Sequence, residues 1–490
     1  NSSCTNNAEV IWNYEIWGPT VKNLTTTKTK CYLKFKKEYQ ETILNGAYPV
    51  IKDELIAVTI DSDGTVKKAD TTRPWYSYEN KEWANAIILK DEITASNYTN
   101  GSVISEDAIE SYFVWIPKYR YQLWDLGEYP DLTAIDESKV HEIPIIFGDY
   151  NTSDSKENEC TTPMESGATC SCQVGDYMTH PAFINIPSTG FWVGKFETGY
   201  DGSTNVAESQ QNIKDESKIV VKPNVYSWRG IQVANAFYTT YDYKRNLESH
   251  IMKNTEWGAV AYLQHSAYGS QTSVRINNNT DYITGYAANN EPTCGWTDTN
   301  EECNRYCNDG TCNKAYPNSV LASTTNNITG IFDMSGGSWE YVMGVMLDQS
   351  GKLMSGRNSL YNSGFKGTFG CPTCDDDMSG LTELTTGFNF PNKKYYDMYS
   401  YSTLDEQYQR RILGDATGEM GPFNSVKYLT QTRQIGSWYA DEVWFLNNDQ
   451  MWFVRGYSRN GGTETGIFAF GGTDGRSYNY GSFRVVLTPQ

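Results

Sequence analysis

The chain has 490 residues, of which 39% are hydrophobic and 20% charged, and it carries a formal net charge of −19. That balance belongs to a folded globular protein rather than a disordered one. The acidic excess argues against a nucleic-acid partner, which needs Lys and Arg to displace counterions from phosphates, and against docking on anionic lipid.

Residues 1–45 carry Trp12, Trp17, a Thr-rich run at Thr25–Thr29 and the charged Lys34–Glu41 segment. They read as a small stapled element, and residues 1–110 as a β-rich N-terminal region. The sequence begins at Asn1 without Met, so a processed N-terminus is expected. Leu55–Ile60 and Thr65-Val66 flank Asp61-Ser62-Asp63-Gly64, and an Asp-Gly pair between β-forming runs predicts a hairpin. Its Asp-x-Asp-Gly spacing lacks the glutamate that closes a calcium loop, so a plain turn is expected. Further strands are predicted at Ala86–Leu89, Tyr112–Pro117 and Phe191–Phe196. One helix is predicted over Ile231–Tyr243, where Val233, Ala236, Phe237 and Tyr241 share a face. A second starts near Asn254-Thr255-Glu256, with Asn254 or Thr255 as its cap and Trp257, Val260 and Ala261 on one side. Residues 150–180, 266–325 and 355–425 read as insertions. No window of 18 apolar residues exists, so no helical membrane segment is expected.

Eleven cysteines fall in local groups: Cys4 and Cys31; Cys160, Cys170 and Cys172; Cys294, Cys303, Cys307 and Cys312; Cys371 and Cys374. Most lie in loop-forming stretches, where covalent staples stabilise most, so disulfides and an extracellular location are expected. The first four-cysteine group has no C-x2-C pair, and Cys371/Cys374 lack a partner pair, which disfavours zinc. The four histidines, His141, His180, His250 and His265, form no short-spaced metal motif. No nucleophile elbow or phosphate-binding loop occurs, and no enzyme activity is expected.

The tail is distinctive. From Tyr457 to Tyr480, 16 of 24 residues are Gly, Tyr, Ser, Thr or Asn. Tyr gives contact area at low entropic cost, while Ser, Gly and Asn adapt their hydrogen bonds, as in an antibody combining loop. The candidate ligand contacts are Tyr457, Arg459, Ile467, Phe468, Phe470, Asp474, Arg476, Tyr478, Asn479 and Tyr480. Phe468 and Phe470 are equally suited to a core, whereas Tyr457, Arg459, Asp474, Arg476 and Tyr478 are expected to be exposed.

An ordered set of blocks runs through the chain: Phe191–Thr198, Ser227-Trp228-Arg229, Lys253–Gly258, Gly330–Tyr341, Val454-Arg455-Gly456 and Phe483–Val486. Together they resemble the formylglycine-generating-enzyme family, a variant of the C-type lectin fold, over residues 111–490. The resemblance implies an α+β, C-type lectin-like domain with long disulfide-stapled insertions. The oxidase of that family needs two cysteines near the final motif, and this chain has none after Cys374. The tail is similar instead to variable proteins diversified by a retroelement, which display a hypervariable ligand-binding patch at residues 452–487. The whole chain resembles gut-type bacterial surface proteins with a pilin-like secretion helix, and a phage receptor-binding protein of the same fold is the alternative. The implied partner is a protein or a cell-surface glycan. Trp339, Glu340, Arg455 and Arg484 are expected to be structural, with Glu340 satisfying buried backbone amides. No cofactor is expected. Gly337 stands where the family often has a calcium-binding Asn, which removes that side-chain ligand.

Overall fold

A computed structural model describes residues 44–52, 54–123, 142–148, 175–184, 186–205, 207–276, 316–346, 362–365, 391–399, 412–417, 439, 441–444, 446, 450–458 and 465–490. It also gives the backbone of strands at 3–4, 9–13, 18–22, 31–32, 382–385, 388–390 and 434–435. The chain forms two compact units, Asn1–Thr42 and Ile43–Gln490. In the first, Glu9–Asn13 pairs antiparallel with Gly18–Lys22. Ser3–Cys4 pairs with Cys31–Tyr32, in a register that sets Cys4 opposite Cys31.

In the second unit, β1 (Ile56–Ile60) turns into β2 (Val66–Lys68) through the expected hairpin, with Ile60 opposite Val66. Gly64 adopts φ +87°, a conformation glycine takes without steric cost. The Asp63 carboxylate fixes the turn by accepting from Thr65 N–H at 2.9 Å. β3 (Asn85–Leu89), β4 (Val103–Ile104), β5 (Ile109–Pro117), β6 (Gly190–Gly194), β7 (His250–Ile251) and β15 (Val485–Leu487) complete one antiparallel sheet, in the order β7-β15-β6-β5-β3-β1-β2-β4. The N-terminal region expected to end at residue 110 therefore does not stand apart. β1–β4 are bonded into the same sheet as β5 and β6, and the division falls after Thr42.

A second, mixed sheet runs β9-β8-β12-β13-β11-β10, from β8 (Trp339–Met346), β9 (Asp397–Tyr399), β10 (Gln434–Ile435), β11 (Glu442–Val443), β12 (Trp452–Arg455) and β13 (Phe470–Thr473). β14 (Gly481–Phe483) joins it parallel to β8. The two α-helices among the described residues are α1 (Val233–Tyr243) and α2 (Asn254–Gln264), so the fold is β-dominated and mixed.

Six tryptophans, Trp83, Trp115, Trp192, Trp228, Trp257 and Trp452, are fully buried. Trp115 and Trp192 face each other across β5 and β6 with ring centroids 5.1 Å apart. Each such ring stabilises the fold by roughly 2–3 kcal/mol. Their indole N–H groups donate to Ala47 O and Val50 O, which stitches residues 44–50 to the sheet.

The helix starting at Asn254 is capped differently from expectation. Glu256 accepts the Lys253 N–H at 2.8 Å, and Asp397, from a distant strand, accepts the Thr255 N–H at 2.7 Å. Two carboxylates, one local and one distant, satisfy these helix-end donors in place of an Asn or Thr side chain.

Candidate functional site

β13 leads into the loop Asp474–Tyr480, and β14 leads out of it. Asp474 organises the turn: it accepts from Arg476 N–H at 3.2 Å, Arg476 Nε at 2.7 Å and Asn362 Nδ2 at 3.0 Å. Gly475 follows at φ +78°. A Cβ there would sit 2.7 Å from Ser363 Cβ and 3.0 Å from Trp452, so the close approach requires glycine.

The loop's carbonyls turn inward and are taken one after another by groups outside it. Val233 N–H donates to Gly475 O at 3.1 Å, Gly230 N–H to Tyr478 O at 3.0 Å and Trp339 N–H to Tyr480 O at 2.9 Å. The Tyr341 hydroxyl donates to Arg476 O at 2.6 Å, and Arg229 Nη1 to Asn479 O at 2.8 Å. The side chains of Arg476, Ser477, Asn479 and Tyr480 are exposed, and Tyr478 is half-buried. Loop geometry is thus set largely by main-chain atoms and by neighbours, with Asp474 buried, Tyr478 half-buried and Arg476 reaching back to Asp474 from the surface.

Beside the loop lies a cleft of ≈ 290 Å³ lined by aromatic side chains from both sides. Trp339, at the start of β8, and Trp444, just past β11, are half-buried, with ring centroids 5.0 Å apart at 57°. Tyr457 packs on Trp339 at 4.5 Å. It does so from a left-handed backbone position (φ 57°), costly for a bulky residue and common at functional sites. Tyr478 and Tyr480 stack at 5.1 Å and form the outer rim. Gln450, Ser458 and Thr473 supply neutral polar groups.

The expected contacts separate into two groups. Arg476, Tyr478, Asn479 and Tyr480 come together on the surface, while Arg459 lies outside the described residues. Ile467, Phe468 and Phe470 are core, at 1%, 2% and 3% exposure. Ile467 O accepts from the Trp257 indole at 2.7 Å, and the Phe468 ring packs against both His265 and Tyr439, at 5.0 and 6.0 Å. Phe470 packs on Phe453 and under the Arg455 guanidinium. The exposure expected for Tyr457 and Asp474 is also corrected. Tyr457 is pressed onto Trp339, and Asp474 is drawn inward by Asn362 and Arg476. Sequence reasoning missed Trp444 and Gln450 as site residues and assigned Trp339 to structure alone. Trp444 sits in an apolar run that reads as core, so nothing local marks it.

Arg455 and Arg484, expected to be structural, are both fully buried. Arg455 is buried and donates to Asn254 Oδ1 at 2.7 Å, Ala416 O at 3.1 Å and Asp415 O. Arg484 lies where the chain passes from the second sheet to the first. It pairs with both Glu340 oxygens, at 2.8 and 2.5 Å, and donates to Gly194 O at 2.9 Å. Glu340 is therefore committed to Arg484. The residue that accepts a buried amide is Glu197, from Ser338 N–H at 2.8 Å, together with the Ser227 hydroxyl.

Burial pushes the Glu197, Asp333 and Glu340 carboxyls up, and of the three only Asp333 keeps an oxygen, Oδ2, without a hydrogen-bond partner.

A second cleft, of ≈ 420 Å³, opens at the start of α2. Its charges neutralise one another: His250 Nε2 meets Glu256 at 3.0 Å, and Lys253 Nζ lies 3.5 Å from Glu256. Burial alone would raise Glu256, but Lys253 and His250 hold it down at about 2, while burial pushes Asp397 up to about 6. This network staples β9 to α2, with the Thr255 hydroxyl donating to Asp397 Oδ1 at 3.1 Å.

No protein-family model matches the chain, and no curated protein is significantly similar to it. Among the described residues, no helix is long and apolar enough to cross a membrane.

Proposed function

We propose that the chain is an extracellular binding protein, without catalytic activity, that presents its C-terminal segment as a replaceable recognition surface. One observation carries this reading: the carbonyls of Gly475, Arg476, Tyr478, Asn479 and Tyr480 are held by groups outside the loop, whereas four of its side chains face solvent. A loop fixed through its main chain tolerates exchange of side chains, which is what a diversified binding face needs. We further propose that the scaffold is the C-type lectin-like domain of the formylglycine-generating type. The ordered motifs support that assignment, as does the clamp of Glu340 on Arg484 between two of them. The partner is a protein or glycan at a cell surface.

Surface placement is consistent with a cysteine-rich sequence. Diversification by a retroelement predicts a near-copy of the Trp452–Leu487 coding stretch beside a reverse-transcriptase gene, differing mainly at adenines.

The binding test uses arrays of surface proteins and glycans, probed with the wild type and with Arg476→Ala/Tyr480→Ala. Binding of the wild type should fall at least about tenfold in the variant, with the melting temperature nearly unchanged. A variant that binds as well as the wild type would overturn the assignment of the loop.

A further inference from the structure

We propose that the aromatic cleft beside the loop holds a neutral sugar ring, stacked on Trp339 and Trp444 and closed at its rim by Tyr480. The inference rests on the reading of the C-terminal segment as a binding face and assigns the chemistry of its ligand.

Among the described residues the lining carries no charged side chain, although the chain as a whole is strongly acidic. Arg476, whose guanidinium lies over the ring of the lining residue Tyr478 at 5.7 Å, is committed to Asp474 at 2.5 Å. An anionic ligand therefore meets no counter-charge inside the cleft. A quaternary ammonium would have to share the rim with a guanidinium already on its aromatic face, and it forms no hydrogen bonds with the polar groups of Gln450, Ser458 and Thr473. A sugar ring uses both parts of the lining. Its C–H face is electropositive and lies against the negative face of an indole. Its hydroxyls both donate and accept, which matches an amide and two hydroxyls.

Size agrees. A volume of ≈ 290 Å³ stands at the small end of ligand sites, which run about 300–1,000 Å³. It suits a terminal ring with part of a second and is too small for a folded partner's surface. The walls are also fixed in advance. Trp339 N–H holds Tyr480 O at 2.9 Å, and the Tyr457 ring packs on Trp339 at 4.5 Å. A site already ordered before binding loses less entropy on capture. Trp339, Trp444 and Tyr457 come from outside the exposed loop, so ring stacking would persist while loop side chains select among sugars.

The test is tryptophan fluorescence titration of the full chain with methyl glycosides of neutral hexoses and N-acetylhexosamines, with choline and a sulfated disaccharide as charged probes. A neutral glycoside should quench saturably, and Tyr480→Ala and Trp444→Ala should each weaken it by about tenfold or more. Tyr480→Phe should retain most of the binding. Tyr480 is 36% exposed, so its variants keep the test intact if Trp444→Ala fails to fold. Saturable binding of choline or of the sulfated sugar in place of neutral glycosides would overturn the proposal. So would neutral binding indifferent to Tyr480→Ala, or no response to any neutral probe. If glycosides fail while an arrayed protein still binds in an Arg476-dependent way, the sugar assignment falls and the binding face stands. If that binding is absent too, both fall.

Discussion

Residues 465–473 and 476–480 are neighbours in one Gly-rich, aromatic segment, yet the fold treats them oppositely. In the first stretch the side chains do the anchoring: Phe468 packs against His265 and Tyr439, and Phe470 packs on Phe453. In the second the main chain does it, and Arg476, Ser477, Asn479 and Tyr480 project outward. The difference separates what must be kept from what can be exchanged. A binding surface that changes its side chains without unfolding needs its geometry written in backbone hydrogen bonds, and a scaffold that carries it needs its geometry written in packing.

Substitutions should break the two stretches unequally. The largest loss is expected at the clamp between sheets. Arg484→Ala leaves Glu340 buried and unpaired and should lower unfolding free energy by about 3–5 kcal/mol in denaturant titration. A loss under about 1 kcal/mol would mean that the pair does not hold the sheets. Phe468→Ala should cost roughly 3–4 kcal/mol through the cavity it opens, read by thermal melting and denaturant midpoint.

Acid should act on the same buried stretch. Burial holds His265 down at about 3, from an ordinary 6.5. A ring with a depressed pKa contributes its stability in full above its free pKa and loses it as pH falls toward the folded value. Between pH 7 and pH 5 that amounts to about 2 kcal/mol. His180 carries a shift of the same size, with Nε2 donating to Gly414 O and Nδ1 accepting from Ala182 N–H. The wild type should therefore lose stability over this range, and His265→Phe should lose about 2 kcal/mol less. An identical pH profile for the two would show that His265 does not titrate in this window.

The smallest effect is expected in the exposed loop. Ser477→Ala with Asn479→Ala should change stability by no more than about 0.5 kcal/mol. A loss above about 2 kcal/mol would erase the contrast.

Much of the scaffold is legible in the sequence because its signals are local. The Asp-Gly turn, the strand runs around Ile87, Trp115 and Trp192, and both helix faces depend on neighbours within a few residues. What could not be read depends on distant partners. The hydrophobicity of Phe468 and Phe470 suited core and contact equally until His265, Tyr439 and Phe453 were positioned. Tyr457 looked exposed because its Gly-rich surroundings offer no core of their own, yet Trp339, over a hundred residues earlier, supplies one. Asp397 caps a helix that begins at Asn254, a link no local cap signal reveals. The domain division expected at residue 110 failed for a similar reason: strand pairing across a sheet leaves no mark in composition.

The central claim is that the loop's shape does not depend on its own exposed side chains. The direct measurement is protease resistance, at 25 °C and pH 7, of a library with codons 476, 477, 479 and 480 randomised together and Asp474, Gly475, Tyr478 and Gly481 kept. Most library members should resist cleavage as the wild type does. Resistance confined to members that retain the native residues would contradict the account.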